Sequence, residues 1–140
     1  MSYFLERFLE KEWGQKENKV YSELEIEKII QGYKDRHLNL KKGDVYWAAI
    51  GFEDDADKYK IRPVIIWDAS DLKNILILKC SSVENPGKYK IQNYFNLGLD
   101  MIPYVEYRKV GTLESKYLLG CLRKPLSSAD LKNLSKLLID

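Results

Sequence analysis

Arg62 stands directly before Pro63 and at the mouth of the apolar run Val64-Ile65-Ile66-Trp67. A guanidinium there must keep its charge at the rim while its neighbours go inside, which is costly unless an anion meets it. Its planar fork stays protonated and engages two oxygens of one oxyanion at once. The position therefore predicts an anion site. Lys58, Lys60, Lys79, Lys88, Lys90, Arg108 and Lys109 supply further cations for a polyanion backbone. Trp47, Tyr59, Trp67, Tyr89 and Tyr94 supply faces on which bases stack, each stack being worth about 1–3 kcal/mol. Together these residue types suit an RNA phosphate chain. The competing reading is solvated lysines, aromatics packed in the core, and Arg62 paired with an acid such as Asp44.

Acid–base groups are scarcer. His37 is the only histidine and falls at the end of a predicted helix, where a solvated side chain is expected. Glu53, Asp54 and Asp55 border the loop leading to Arg62. A carboxylate serves as a general base there only if burial or a neighbouring acid raises its pKa toward neutrality; a solvated loop is the competing explanation. Cys80 and Cys121 lie in apolar runs and are expected to be small, buried and reduced. Two cysteines and one histidine offer no metal-ligand spacing, so neither a metal nor a cofactor is expected. Net charge is only +2, so any nucleic-acid footprint must come from how the charge is distributed.

The elements that must position these groups fall into two textures. Residues 1–40 lack proline and predict two helices, 2–13 and 22–36, joined by the polar stretch Gln15 to Lys19. Ser22 and Glu25 fit a capping box, Ile26, Ile29, Ile30 and Tyr33 recur at helical spacing, and Lys34 and Arg36 suit the negative helix end. From residue 41 onward the pattern is strand-like. Val45–Ile50, Arg62–Asp68 and Ile75–Cys80 read as strands, with Tyr89–Tyr94, Ile102–Val110 and Tyr117–Leu122 as further short ones. Glu53 to Lys60 reads as a loop. Ser127 and Asp130 resemble an N-cap pair for a last helix whose core face is Leu131, Leu134, Leu137 and Leu138. The expected fold is mainly β with flanking helices (α+β): a small, strongly curved sheet or barrel closed by a helix. The opening residues lack a signal-peptide apolar core and no apolar run approaches about 18 residues, so a cytoplasmic protein with no membrane partner is expected.

Several segments in order resemble the MazF/PemK family, toxins of bacterial type II toxin–antitoxin pairs. Lys42-Gly43-Asp44-Val45-Tyr46-Trp47 is similar to the family's opening strand, and Arg62-Pro63-Val64-Ile65-Ile66 to its second. Leu78-Lys79-Cys80-Ser81-Ser82 resembles a third strand ending in a hydroxyl pair. Val110 to Lys116 resembles the late turn, and Leu119-Gly120 with Leu126 to Leu138 the closing strand and helix. The resemblance spans residues 42–138 and implies an SH3-like barrel over 41–140 behind an N-terminal helical extension over 1–40. It implies a homodimer, metal-independent cleavage of single-stranded RNA by its own 2′-hydroxyl, and neutralisation by a small antitoxin. Carried over by motif, Arg62 matches the active-site arginine and Ser81 a position that is usually threonine, with Ser82 beside it. Lys58, Tyr59, Lys60, Lys79, Arg108 and Lys109 are the expected RNA-binding residues around that pair.

The chain departs from the family in four places. Its loop Asp54 to Lys60 lacks the usual glycine and serine, Arg108-Lys109 replaces an acid and an amide, Ser81 replaces threonine, and the helical extension is additional. These departures keep two further expectations open. One is a non-catalytic binder on the same barrel, as in the relative CcdB, which poisons DNA gyrase by contact. The other is an accessory protein whose catalytic site has decayed.

Overall fold

The computed structural model describes residues 19–34, 38–99, 102–122 and 124–139. The predicted first helix, the connector up to residue 18, Arg36 and His37 lie outside them. Elements run β1 (Tyr21–Ser22), α1 (Glu23–Gln31), β2 (Val45–Gly51), β3 (Lys58–Asp68), β4 (Ile75–Ser81), β5 (Tyr89–Lys90), β6 (Tyr104–Val105), β7 (Gly111–Leu113), β8 (Leu118–Cys121) and α2 (Ser128–Ile139). The fold is α+β and mainly antiparallel sheet. Its hydrogen-bonded path is β5-β6-β4-β3-β2-β8, with β1 added to β3 and β7 to β4.

Period-two alternation gives this sheet two distinct faces. Val45, Trp47 and Ala49 of β2, Ile61 and Ile65 of β3, and Leu78 and Cys80 of β4 enter one large core. Ile26 and Ile30 of α1 and Leu134 of α2 close over the same core, together with Tyr21 and Tyr33. The alternate residues Tyr46, Ala48, Val64, Ile66, Ile75, Ile77 and Leu118 form a second apolar cluster on the other face. Tyr21 to Tyr33 of the N-terminal segment is thus built into the main core, pinned by β1 pairing Tyr21 with Tyr59 and Ser22 with Lys58, while Leu38 and Leu40 pack against the second cluster.

Local signals explain the helix starts. Ser22 Oγ accepts the Glu25 N–H at 3.2 Å while the Ser22 N–H donates to Glu25 Oε1 at 3.0 Å, a complete capping box. The helix ends at Gln31, earlier than the expected residue 36, because the Gly32 and Tyr33 amides bond back to Ile29 and Ile30 and tighten the last turn. At α2, Ser127 Oγ accepts the Asp130 N–H at 3.1 Å. Gly43 takes φ +94°, open to glycine alone without strain, and a Cβ there would also meet Leu131 Cδ2 at 3.4 Å.

Other expectations are corrected. Of the expected helix face, Leu131, Leu134 and Leu138 reach the core, but Leu137 is exposed. Cys80 is buried and its thiol is pushed well up by burial, whereas Cys121 ends β8 exposed; no disulfide joins them. Lys58–Lys60 belongs to β3 and not to a loop, since β1 and β2 both pair with it. The expected strands at 89–94 and 102–110 shrink to two residues each, and a 3₁₀ turn takes Tyr94–Leu97.

Candidate functional site

The position of Arg62 follows from how β3 is partnered. One edge pairs with β2 from Tyr59 to Ile65. The other edge pairs with β1 at Lys58 and Tyr59, and with β4 from Val64 onward. Between them, this second edge of Lys60 to Pro63 has no partner strand among the described residues. Pro63 lacks the N–H that would continue a ladder. A gap therefore opens in mid-strand, and Arg62 lies within it rather than at the strand's mouth.

Strand alternation sends Lys60 and Arg62 to the face that carries Val64 and Ile66. Val64 is paired with Lys79, so Lys79 projects to that face too. The three cations meet in an open cleft of about 240 Å³ lined also by Ile50, Gly51, Phe52 and Glu53. Half of this sheet face is thus the apolar second cluster and the other half is cationic.

Arg62 itself is half-buried, and its Nε is shielded from solvent without a hydrogen-bond partner. The ion pair with Asp44 that would have made it a structural arginine is not formed. Asp44 Oδ2 instead accepts the Lys41 N–H at 2.9 Å. A shielded donor left unsatisfied costs about 1–3 kcal/mol, and an oxyanion in the cleft would remove that cost. Lys60 Nζ lies 5.8 Å from the centre of the Phe52 ring.

Glu53 is the only carboxylate lining the cleft among the described residues. It is bonded by Lys109 Nζ at 2.9 Å across the mouth, with both side chains well exposed. That hydrogen bond, with the Lys109 and Lys79 charges, holds the Glu53 carboxyl below the usual carboxylate range, and Lys109 is raised in return. The shift runs opposite to the upward one expected of a base near neutrality: Glu53 is a weak but fully ionised proton acceptor.

Ser81 is placed less simply. Continuing the Val64–Lys79 register by two residues sets Ser81 opposite Arg62 on the same face. Its hydroxyl is nonetheless committed elsewhere, only 3% of the residue being exposed. Lys88 Nζ donates to Ser81 Oγ at 2.8 Å, and Ser81 Oγ accepts the Val83 N–H at 3.3 Å. Lys88 also approaches Glu106 at 3.8 Å. The hydroxyl's own proton is directed at the Val83 carbonyl at 3.4 Å, so the expected donation from Ser81 to a phosphate would require breaking that bond. Ser82 follows β4 outside the strand and is half-buried.

The remaining expected residues scatter. Lys58 pairs with Asp55 at 3.5 Å. Tyr59 points to the main-core face and stacks on Tyr117 with centroids 6.1 Å apart; burial and the Tyr117 hydrogen bond raise its pKa. Arg108 reaches over the turn at Gly87, where a Cβ would lie 3.4 Å from its Nη1, and borders a separate cavity with Tyr107, Val110, Leu137 and Leu138. Trp47 is wholly buried, and the Trp67 ring carries Lys42 Nζ at 4.1 Å. Ile50 and Phe52, which form the apolar wall of the cleft, carry no sequence signal that marks them as site residues. The role of Lys88 at Ser81 had no sequence signal, because a turn brings them together.

No protein-family model matches the chain, and no curated protein matches it either.

Proposed function

We propose that the protein is a metal-independent endoribonuclease that cleaves single-stranded RNA, acting as the toxin of a type II toxin–antitoxin pair. The observation that carries this reading is the shielded, unpartnered Arg62 Nε in a cleft walled by Lys60 and Lys79. In the proposed reaction the RNA 2′-hydroxyl attacks the adjacent phosphorus, the 5′-oxygen leaves as a hydroxyl on taking a proton from water, and a 2′,3′-cyclic phosphate remains. Arg62 stabilises the charge that builds on the phosphorane oxygens, a task for which one donor is typically worth about 3–4 kcal/mol. Glu53, ionised and at the same cleft, accepts the 2′-hydroxyl proton. Lys60 and Lys79 hold the phosphate chain. The reading includes closure of the sheet into an SH3-like barrel, a homodimer, a cytoplasmic setting and a small protein antitoxin, as the MazF/PemK resemblance implies.

The test is incubation of purified protein with single-stranded RNA in EDTA. Cleavage leaving cyclic phosphate ends is expected from the wild type and not from Arg62→Ala. Intact RNA with the wild-type protein would overturn the reading. A second reading, a non-catalytic binder on the same fold, is favoured by two observations: Lys88 occupies the Ser81 hydroxyl, and Glu53 is held low rather than raised. It predicts growth inhibition that survives Arg62→Ala.

A further inference from the structure

The register of the sheet links the Arg62 cleft to a second cavity. Lys90 of β5 pairs with Tyr104 of β6, and Tyr104 pairs with Ser81 of β4. Directly opposed residues in antiparallel strands project to the same face. Their neighbours confirm which face it is: Val105, paired with both Tyr89 and Cys80, lies in the main core. Lys90, Tyr104 and Ser81 therefore project to the opposite face, the one that carries Lys79 and Arg62. A rung of paired residues runs Lys90, Tyr104, Ser81, two strand spacings or about 10 Å, and Arg62 lies on the same face across the gap from Ser81.

At the far end of this rung is a cavity of about 310 Å³ lined by Glu84, Asn85, Pro86, Lys88, Lys90 and Tyr104. Tyr104 is half-buried and Lys90 exposed, and neither enters an ion pair or side-chain hydrogen bond among the described residues. Lys88, by contrast, is held by Ser81 and Glu106. A held lysine, a free lysine and an aromatic flank at one cavity match what a nucleotide needs: fixed positive charge, an ammonium for phosphate, and a face for the base. Glu84 on the rim suits a base with an exocyclic amine, such as cytosine, whose N4 donates to a carboxylate.

We propose that this cavity is a second nucleotide subsite. A single RNA strand would cross the sheet from Arg62 to Lys90, with a base stacked on Tyr104 and its phosphate on Lys90. This rests on the RNA reading of the Arg62 cleft and adds the path and length of the strand that the protein holds.

Binding of fluorescent 2′-O-methyl oligocytidylates, which cannot undergo 2′-hydroxyl attack, tests it on the full chain. A decanucleotide reaches both cavities, whereas a dinucleotide held at the Arg62 cleft is too short to reach Tyr104. Tyr104→Ala is expected to weaken the decanucleotide about 5- to 150-fold and to leave the dinucleotide unchanged, while Tyr104→Phe binds like wild type. Lys90→Ala is expected to reduce the slope of log K against log salt by about 0.7. If Tyr104→Ala and Lys90→Ala bind the decanucleotide as wild type does while Arg62→Ala does not, the second subsite is overturned and the first reading stands. Equal loss on both probes, unrescued by Tyr104→Phe, assigns Tyr104 to the fold and overturns the subsite as well. A wild-type protein that binds neither probe overturns the RNA reading beneath it.

Discussion

Two charged side chains withdrawn from water are treated in opposite ways. Asp130, at the start of α2, is wholly buried. Its carboxylate accepts from Tyr89 Oη at 2.6 Å, the Gln92 N–H at 2.9 Å, the Asn93 N–H at 3.1 Å and Ser127 Oγ at 2.9 Å, with Asn93 Nδ2 at 3.4 Å. It ties the last helix to the chain that follows β5. Arg62 is only half-buried, yet its shielded Nε has no partner at all. A fold that saturates one charge this fully has not run short of polar groups. The contrast separates a charge that holds the structure from one left open for something else, since buried polar groups are satisfied as a rule and exceptions need a reason.

The largest effects should fall on opposite properties at the two positions. Arg62→Ala is expected to slow RNA cleavage by about 3–4 kcal/mol of transition-state stabilisation, while its melting temperature stays level or rises because an unsatisfied donor is gone. Initial rates and thermal unfolding on the same preparation check this. A marked loss of stability would make Arg62 a structural residue and erase the contrast.

Asp130→Ala should do the reverse. It leaves several donors facing a void, and a loss of about 3 kcal/mol is expected by denaturant unfolding. The pH dependence is specific. Burial alone would push the Asp130 pKa up, but the bonds from Tyr89, the Gln92 and Asn93 amides and Ser127 outweigh it and hold the carboxyl below its ordinary range. A depressed folded-state pKa gives stability that is complete above the unfolded value, about 3.9. That stability is lost as pH falls through the lower folded value. The gap between wild type and Asp130→Ala should therefore be constant near neutrality and narrow below about pH 4. A gap independent of pH would mean that the loss is packing and not charge.

What the sequence revealed follows the range of the interactions. The Ser22–Glu25 capping box was readable because both partners are three residues apart. The Ser127–Asp130 pair was readable for the same reason, but the role of Asp130 as a hub was not. Its partners Tyr89, Gln92 and Asn93 lie 37 to 41 residues away. The proline neighbour and apolar flank of Arg62 mark it in the sequence as a candidate anion ligand. Its setting in a mid-strand gap was hidden, because Lys58-Tyr59-Lys60 looks like a charged loop until β1 and β2 pair with it. Tyr59 and Lys60 illustrate the same limit. They are adjacent in sequence, yet alternation sends one to the core face and the other to the cleft. Ser81 is singled out only by the resemblance, and the lysine that bonds its hydroxyl has no local signal because the turn at Asn85–Lys88 brings it there.

A smaller effect at the sheet's edge tests the structural side further. Ser22→Ala removes the acceptor for the Glu25 amide and is expected to cost about 1 kcal/mol. RNA cleavage should not change, since Ser22 lies at the β1 end of β3 and does not line the cleft. A change in rate without a change in stability would show that α1 and the cleft communicate.

The smallest shift concerns whether Glu53 takes part in the chemistry or only neutralises Lys109. The pair is exposed on both sides, so Lys109→Ala should not move the melting temperature measurably. It should move the acid limb of the cleavage rate. In the wild type the Lys109 hydrogen bond, with the Lys109 and Lys79 charges, holds the Glu53 carboxyl below its usual range. The proton-accepting form therefore persists to lower pH. Without Lys109 the Lys79 charge remains, and the pKa should climb toward, but not beyond, the ordinary value of about 4.3. The rate would then begin to fall at a higher pH than in wild type, while the neutral plateau keeps its shape. Glu53→Gln should lose the plateau altogether. If the acid limb stays where it was and Glu53→Gln still cuts, Glu53 is a gatepost for Lys109, and the proton acceptor must be sought outside the residues that line the cleft.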